Sequence, residues 1–385
     1  MTLMQLEIQI IAILVSLACV IPGIFLVLKK QAMMSDAISH SILLGIVIAF
    51  IFTKDLLSPF LVVGAALSGL LVVFLVQIIK KTGLLKEDTS IGLVFPLFFS
   101  IAVVIISLKF ANVHLDVDAV LLGEIAFAPL DRMKIFGIDI GAKSIYTTGL
   151  NLIINITFLL VFFKELKITT FDPGLSYSLG FSPVLLNYLL MGDVSFTAVA
   201  SFDAVGSVLV VALMIAPPAT AYLITDDLGK TILWSFVFGT AIALSGYWIA
   251  RILDVNIAGT MAAVAGLLFI EVFIQAPKKG LISKIKNRKK LKLKFYATMM
   301  IVHISHHLGS QEYNEECAAG KIFSHLGWEK AYTTKIIKIL IQNNYLEKKD
   351  DILYLTEKGR NFAEISMIDG KIDRQVLNNE IITVS

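Results

Sequence analysis

Nine stretches of this chain, 6–28, 31–52, 56–79, 91–108, 147–163, 183–201, 204–224, 231–250 and 257–275, are nearly free of charge and close to bilayer-crossing length. About 20 apolar residues span a hydrocarbon core of ~30 Å, where backbone polar groups must be satisfied inside the segment, so such runs become helices. The chain is therefore read as an all-α polytopic membrane protein of about nine transmembrane helices. Its composition agrees, with 57% hydrophobic against 16% charged residues over 385 positions. Soluble cores of this length do not bury that much apolar surface, which excludes an ordinary soluble enzyme. The first span lacks the basic start and small-residue cleavage site of a signal peptide and is read as retained. Stretch 183–224 is long enough for two spans without a charged loop between them, holding only Asp193 and Asp203.

Charge divides the chain in two. Residues 1–277 carry 14 Lys and Arg against 18 Asp and Glu, whereas 278–385 carry 19 against 12. Lys29-Lys30, Lys80-Lys81 with Lys86, Lys164 with Lys167, and Lys278-Lys279 all fall on one side if nine spans alternate. The excess of basic residues in cytoplasmic loops makes that side the cytoplasm, with the amino terminus outside and the tail inside. Residues 109–146, with Asp116, Asp118 and Asp131, then form a long outward loop or a partly re-entrant segment, against which Arg132 and Lys134 count mildly. The segment KELKITTFDPGLSYSLGFSP (164–183) has an Asp-Pro helix start at Asp172-Pro173 and Gly180 near a stop, and reads as a short surface helix or a plain connecting loop.

From Lys278 the run KKGLISKIKNRKKLKLK (278–294) reads as a basic juxtamembrane linker lying against anionic headgroups. Helices are expected over 295–308, 315–326 and 329–344. EKKDDILYLTEKGRNF (347–362) follows as a hairpin turning at Asp350-Asp351 and leading into a further helix. This is the order of a small α+β winged-helix domain, assigned to 295–370. Residues 371–385 are read as a flexible tail, and 1–277 as the transmembrane domain.

Ionisable residues inside spans are costly and so are candidates for function. Asp36 and His40, in MMSDAISHSILLGI, stand at i and i+4 on one helix face, a spacing at which both reach one ion. A buried ion pair is the structural alternative. Asp203 lies between long apolar stretches beside Gly206, which would let a neighbouring helix come close, and Glu124 sits in a shorter apolar run. Three carboxylates and an imidazole suit Mn²⁺, Zn²⁺ or Fe²⁺ and suit Cu⁺ poorly, though a proton relay uses the same residue types. Glu271, near the end of its span, is read as snorkelling or structurally paired. Pro217-Pro218 removes two helix donors and predicts a kink or break. No phosphate-cradling G-x-x-x-x-G-K-[ST] run occurs, so no ATPase site is expected in this chain and the chain is not read as an enzyme.

Cys19 and Cys317 suggest no disulfide framework. In the tail, His303, His306, His307 and His325 join Cys317; core-facing or surface histidines are the ordinary reading, and a metal sensor the alternative. Lys330, Lys335 and Lys338 are placed to touch phosphates. Yet residues 295–385 hold 10 basic and 12 acidic side chains, a poor footprint for nucleic acid, which favours a protein partner or a DNA-binding fold that has lost that role.

Five strings, MMSDAISHSILLGI (33–46), VLLGEI (120–125), FDPGLSYSLGF (171–181), SFDAVGSVLVVALMIAPPATAYLITD (201–226) and AGTMAAVAGLLF (258–269), occur in the order in which the permease family of ABC-type zinc, manganese and iron importers carries them. The chain resembles that family over roughly residues 5–277. The resemblance implies a transport subunit working by alternating access, a second permease chain in a homodimer or heterodimer, two cytoplasmic ATP-binding subunits that use the ATP, and an extracytoplasmic metal-binding protein. It implies no permanently bound cofactor. It places Asp36 and His40 in the translocation path with Glu124 and Asp203 as further ligands, and it makes Phe171, Asp172, Pro173, Gly174, Leu175 and Gly180 the coupling helix to the ATPase. Residues 295–366 are similar to the winged-helix part of iron- and manganese-dependent repressors, without the metal-binding and dimerisation region that follows there. Two other readings stay open: a proton-coupled secondary metal transporter, with Asp36, His40 and Asp203 as the relay, and a membrane-tethered winged-helix regulator.

Overall fold

The computed structural model describes residues 2–55, 58–109, 125–135 and 138–368. Among these, nine helices are long and apolar enough to cross a membrane: α1 Leu3–Leu28, α2 Met33–Thr53, α3 Pro59–Lys81, α4 Glu87–Lys109, α5 Lys143–Phe171, α7 Pro183–Val205, α8 Ser207–Ile224, α9 Leu228–Leu253 and α10 Ile257–Gln275. A six-residue helix, α6 (Pro173–Ser178), stands between α5 and α7. The chain divides into two compact units, Met1–Gly280 and Leu281–Ser385.

In the first unit α1 is the most buried span and packs against α5, α7, α8 and α9, while α2 packs against α3, α4 and α7. Where helices cross, small residues allow backbone contact, the way membrane helices associate when apolar burial alone gives no advantage. Gly45 of α2 faces Gly64 of α3 so closely that a Cβ on Gly45 would stand 2.1 Å from the Gly64 carbonyl oxygen. Polar side chains add interhelical bonds. Ser68 donates to the Ser41 carbonyl at 2.7 Å, and the Asn155 amide donates to the Ala18 carbonyl and to Thr197 Oγ1, both at 2.9 Å.

Ion pairs and hydrogen bonds mark the two ends of this bundle. At one end Lys29 donates to Asn187, Gln31 donates to Glu87, Glu87 pairs with Lys80, and Asp226 pairs with Lys279. At the other, Arg132 donates to both oxygens of the buried Glu7 (2.8 and 2.9 Å) and pairs with Asp139. Arg132 belongs to a short antiparallel hairpin, β1 (Arg132–Ile135) and β2 (Ile138–Ala142), for which the apolar-run reading had made no allowance. Of the expected loop 109–146, residues 110–124, 136 and 137 lie outside the described residues.

Several boundaries differ from expectation for identifiable reasons. Helix α5 does not end at Lys164 but continues to Phe171; at 29 residues it is about 43 Å long, enough to carry Lys164, Glu165 and Lys167 beyond the hydrocarbon. Stretch 183–224 breaks at Gly206, whose φ of 77° and ψ of 165° suit only glycine, so this residue ends one helix and starts the next where close approach had been expected. Pro217 and Pro218 are buried inside α8, which continues through them. The turn from α1 to α2 needs no glycine: Lys30 adopts φ 59°, and the Lys30 and Gln31 amides close back on Val27 and Leu26.

The second unit begins with α11 (Leu281–His306), so the basic run 281–294 is the first half of a helix and not a separate linker. Lys, Arg and Leu are good helix formers and no Gly or Pro interrupts them. Two short turns of helix, α12 (Tyr313–Glu316) and α13 (Ile322–His325), replace the single helix expected over 315–326, and α14 (Lys330–Gln342) follows. Strands β3 (Leu346–Lys349) and β4 (Ile352–Leu355) pair in register Leu346 to Leu355. Asp350 and Asp351, at φ 48° and 66°, make the two-residue turn with both residues left-handed that tight hairpins favour. Helix α15 (Glu357–Ile368) closes a core that includes Met300, Ile304, Leu340, Tyr345 and Phe362.

Candidate functional site

Helix α2 places Asp36 one turn and His40 two turns from its lysine-bearing end. Met34, Ser35, Ala37, Ile38 and Ser39 between and around them are buried, so the pair forms a half-open stripe on an otherwise packed helix. His40 Nε2 lies 3.4 Å from Asp36 Oδ1, and the two side chains keep 30% and 42% of their exposure. Metal-bound oxygen and nitrogen ligands about 2.0–2.2 Å from one ion stand at such a separation, so both atoms can reach a single cation from one helix face. The His40 ring stacks against Phe95 and meets Phe99 edge-on, both of α4, with ring centres 5.8 Å apart in each case. These two aromatic rings fix the imidazole's orientation.

Glu124 lies outside the described residues. Asp203 is in the last turn of α7, and its side chain is outside them as well. Of the four expected ligands, the described structure thus brings together Asp36 and His40. Sequence reading had noted Asp193 without giving it a role; the structure buries it on α7 at 8% exposure, with Oδ2 lacking a hydrogen-bond partner. It had missed a polar cluster on α5 and α7, in which Thr197 bonds to Asn155 and Asn151, and Asn151 to Ser201. Asn151 and Asn155, one turn apart inside a span, were the visible signal.

The short helix α6 is held by its first residue. Asp172 accepts a hydrogen bond from the Leu175 amide at 2.9 Å, Pro173 takes the first helical position, and Gly180 leaves the helix at φ 86°. Gly174 fits beside the Asp172 carboxylate. Phe171, Leu175, Tyr177 and Leu179 are all more than 45% exposed, a concentration of apolar surface on and beside one short helix. Beside it a cleft of about 700 Å³ is lined by Pro173, Tyr177, Lys29, Lys30, Lys80 and Lys81, among others.

Comparison with known proteins covers both the bundle and the tail. The family model of the ABC 3 transport family matches residues 2–276. The chain is 42% identical over 361 residues to the zinc transport system membrane protein TroD of Treponema pallidum, covering 94% of this chain and 98% of that one. It is 44% identical over 283 residues to the manganese transport system membrane protein MntD of Bacillus subtilis, covering 73% and 96%. Among solved structures, PsaBC from Streptococcus pneumoniae in complex with Fab matches with a TM-score of 0.60 and 28% identity over 72% of this chain and 94% of that one. A match covering more than two thirds of the chain, relatives above 40% identity and a bundle of nine membrane-crossing helices among the described residues agree: this chain is a multi-pass membrane protein of the ABC 3 transport family.

Proposed function

We propose that this chain is the membrane permease subunit of an ATP-driven importer for a divalent transition-metal ion, Mn²⁺, Zn²⁺ or Fe²⁺, working by alternating access. The ion is substrate, and Asp36 and His40 are its ligands on the path, with Glu124 and Asp203 as further ligands. The observation that carries this reading is a carboxylate and an imidazole 3.4 Å apart on one face of a span, in a chain whose relatives are named as zinc and manganese transport system membrane proteins. Their partial exposure supports a second permease chain. Ionisable side chains at membrane depth face other protein or a water-filled cavity and not lipid, so something must cover the stripe. Asp193 is a further candidate, because a buried carboxylate oxygen without a partner is costly unless it serves a function.

ATP is hydrolysed in partner subunits on the cytoplasmic side, the side of Lys29-Lys30, Lys80-Lys81 and Lys278-Lys279, with the amino terminus outside and the tail inside. The apolar face of Phe171 and Leu175, held by Asp172, Pro173, Gly174 and Gly180, docks on those subunits and passes their closure to α5 and α7, to which α6 is joined in sequence. An extracytoplasmic metal-binding protein delivers the ion. The ligand pair sits near the lysine-bearing end, so opening of that end releases the cargo inward. Affinity at the pair is moderate, since each cycle must release what it binds. Residues 295–370 form a winged-helix domain, and their balance of charge favours a protein partner over nucleic acid.

The test is uptake of radioactive manganese and zinc into proteoliposomes holding this chain, its ATP-binding subunit and its metal-binding protein. Uptake that requires ATP and all three components supports the reading. Uptake that follows a proton gradient without ATP contradicts it.

A further inference from the structure

The C-terminal unit brings together histidines and a carboxylate that the transport reading leaves unused. His303 stands in the last turn of α11 and His307 in the turn that follows it, four residues on, and Glu316 ends α12. One ligand atom from each of the three lies within 4.8 Å of the others. The His303 and His307 rings are 4.8 Å apart between centres. His303 Nε2 is buried without a hydrogen-bond partner, and the nearest carboxylate oxygen, Glu316 Oε2, stands at 3.8 Å, too far for a hydrogen bond. That ring nitrogen is thus enclosed and open to a ligand. His325 Nδ1 lies 3.0 Å from the same Glu316 oxygen and restrains the carboxylate from the far side.

We propose that His303, His307 and Glu316 form a second divalent-metal site, in the C-terminal unit and separate from the membrane bundle, with His325 as the positioning residue for Glu316. Two imidazoles and a carboxylate are a borderline N/O set, suited to Zn²⁺, Co²⁺, Ni²⁺ or Fe²⁺. Three protein ligands leave a position for water, the arrangement of an exchangeable site and not of a closed structural one. Cys317, adjacent to Glu316, does not join the set. It is buried in the unit's apolar core, and that burial pushes its thiol up to about 11. His306, on the same helix but exposed, is outside the cluster and serves as a control. The match to TroD takes in 361 residues and therefore most of this unit, whereas the match to MntD takes in 283 residues of this chain and 96% of that protein. The site thus belongs to a part that some relatives lack, which fits an added metal-responsive function and not the transport step common to all. It stands independently of the transport reading.

The test uses the full-length chain, purified metal-free in detergent and titrated with Co²⁺ while its visible absorption bands are followed. The Asp36→Ala/His40→Ala double variant removes the bundle's pair, and binding in that background that is then lost on substituting His307 or Glu316 reports the C-terminal site. The expected result is one Co²⁺ per chain in that background. Binding there should weaken more than tenfold on adding His307→Gln or Glu316→Gln, weaken about tenfold with His325→Ala, and stay unchanged with His306→Ala. His307→Gln and Glu316→Gln are decisive if His303→Gln, at a buried ring nitrogen, disturbs the fold, and circular dichroism of each variant shows whether the fold persists. Absence of Co²⁺ binding in the double variant, or binding indifferent to His307→Gln and Glu316→Gln in folded protein, would overturn the proposal.

Discussion

Asp36 and His40 show how far a single pair of residues can be read. Spacing of four on a helix puts two side chains on one face whatever the helix packs against, so their approach was legible from sequence. Their setting was not, because Phe95 and Phe99 reach His40 from a helix more than 50 positions away. The same holds for Arg132, whose partner Glu7 stands 125 positions earlier in the chain, and for Glu316, which meets His303 and His307 only through the fold of the C-terminal unit. Local chemistry was legible at Asp172, where an Asp-Pro pair announced a helix start and the side chain does cap it. Asp172→Ala should cost about 1 kcal/mol of capping, fray α6, and reduce ATP-dependent uptake without lowering the amount of chain in the membrane. Asp172→Ser should restore most of the activity, since a hydroxyl accepts the same Leu175 amide. Equal activity in all three proteins would show that the α6 cap plays no part in coupling.

At the level of elements, apolar runs located the nine spans because lipid leaves the backbone no alternative to helix among the described segments. The runs marked the hydrocarbon and not the helix, so α5 and α11 extend well past the boundaries that charge suggested. Helix formation does not stop where a residue becomes charged; Lys, Glu and Arg continue it readily. The two spans expected within 183–224 are there, but the break falls at Gly206 and not at 202–203, because apolarity on both sides conceals a backbone angle. How helices meet is written in small residues, and α2 against α3 gives a direct test. Gly45→Val puts a side chain where the Gly64 carbonyl already stands, and overpacking of this kind costs roughly 1–3 kcal/mol. Thermal unfolding of the purified chain in detergent should show a clear drop in Tm. Gly92→Ala, on α4, where an added Cβ meets nothing within 4 Å, should leave Tm unchanged or slightly raised. A Gly45→Val protein as stable as the parent would mean that α2 and α3 do not pack as described.

For the whole molecule, the two ends of the bundle follow from contacts between distant loops, and the lysine-bearing loops gather at one of them. The orientation proposed from the positive-inside rule puts that end in the cytoplasm and has a direct test. Single cysteines introduced at Leu84 and Leu179 should react with an impermeant thiol reagent only from the cytoplasmic face, and one at Val255 only from outside; all three positions are exposed. Both native cysteines are buried and give a low background. Labelling in the reverse pattern would invert the orientation, and with it the sides assigned to the ATP-binding subunits and the metal-binding protein.

The account as a whole rests on Asp36 and His40 being ligands on the path of the ion and not merely a packed polar pair. The measurement that tests this most directly is ATP-dependent uptake of manganese and zinc by the reconstituted complex, for the parent and for Asp36→Ala/His40→Ala, with ATP hydrolysis followed in the same vesicles. The account predicts that uptake is lost in the variant while the complex still assembles and still hydrolyses ATP. Uptake at the parental rate in an assembled variant would contradict it.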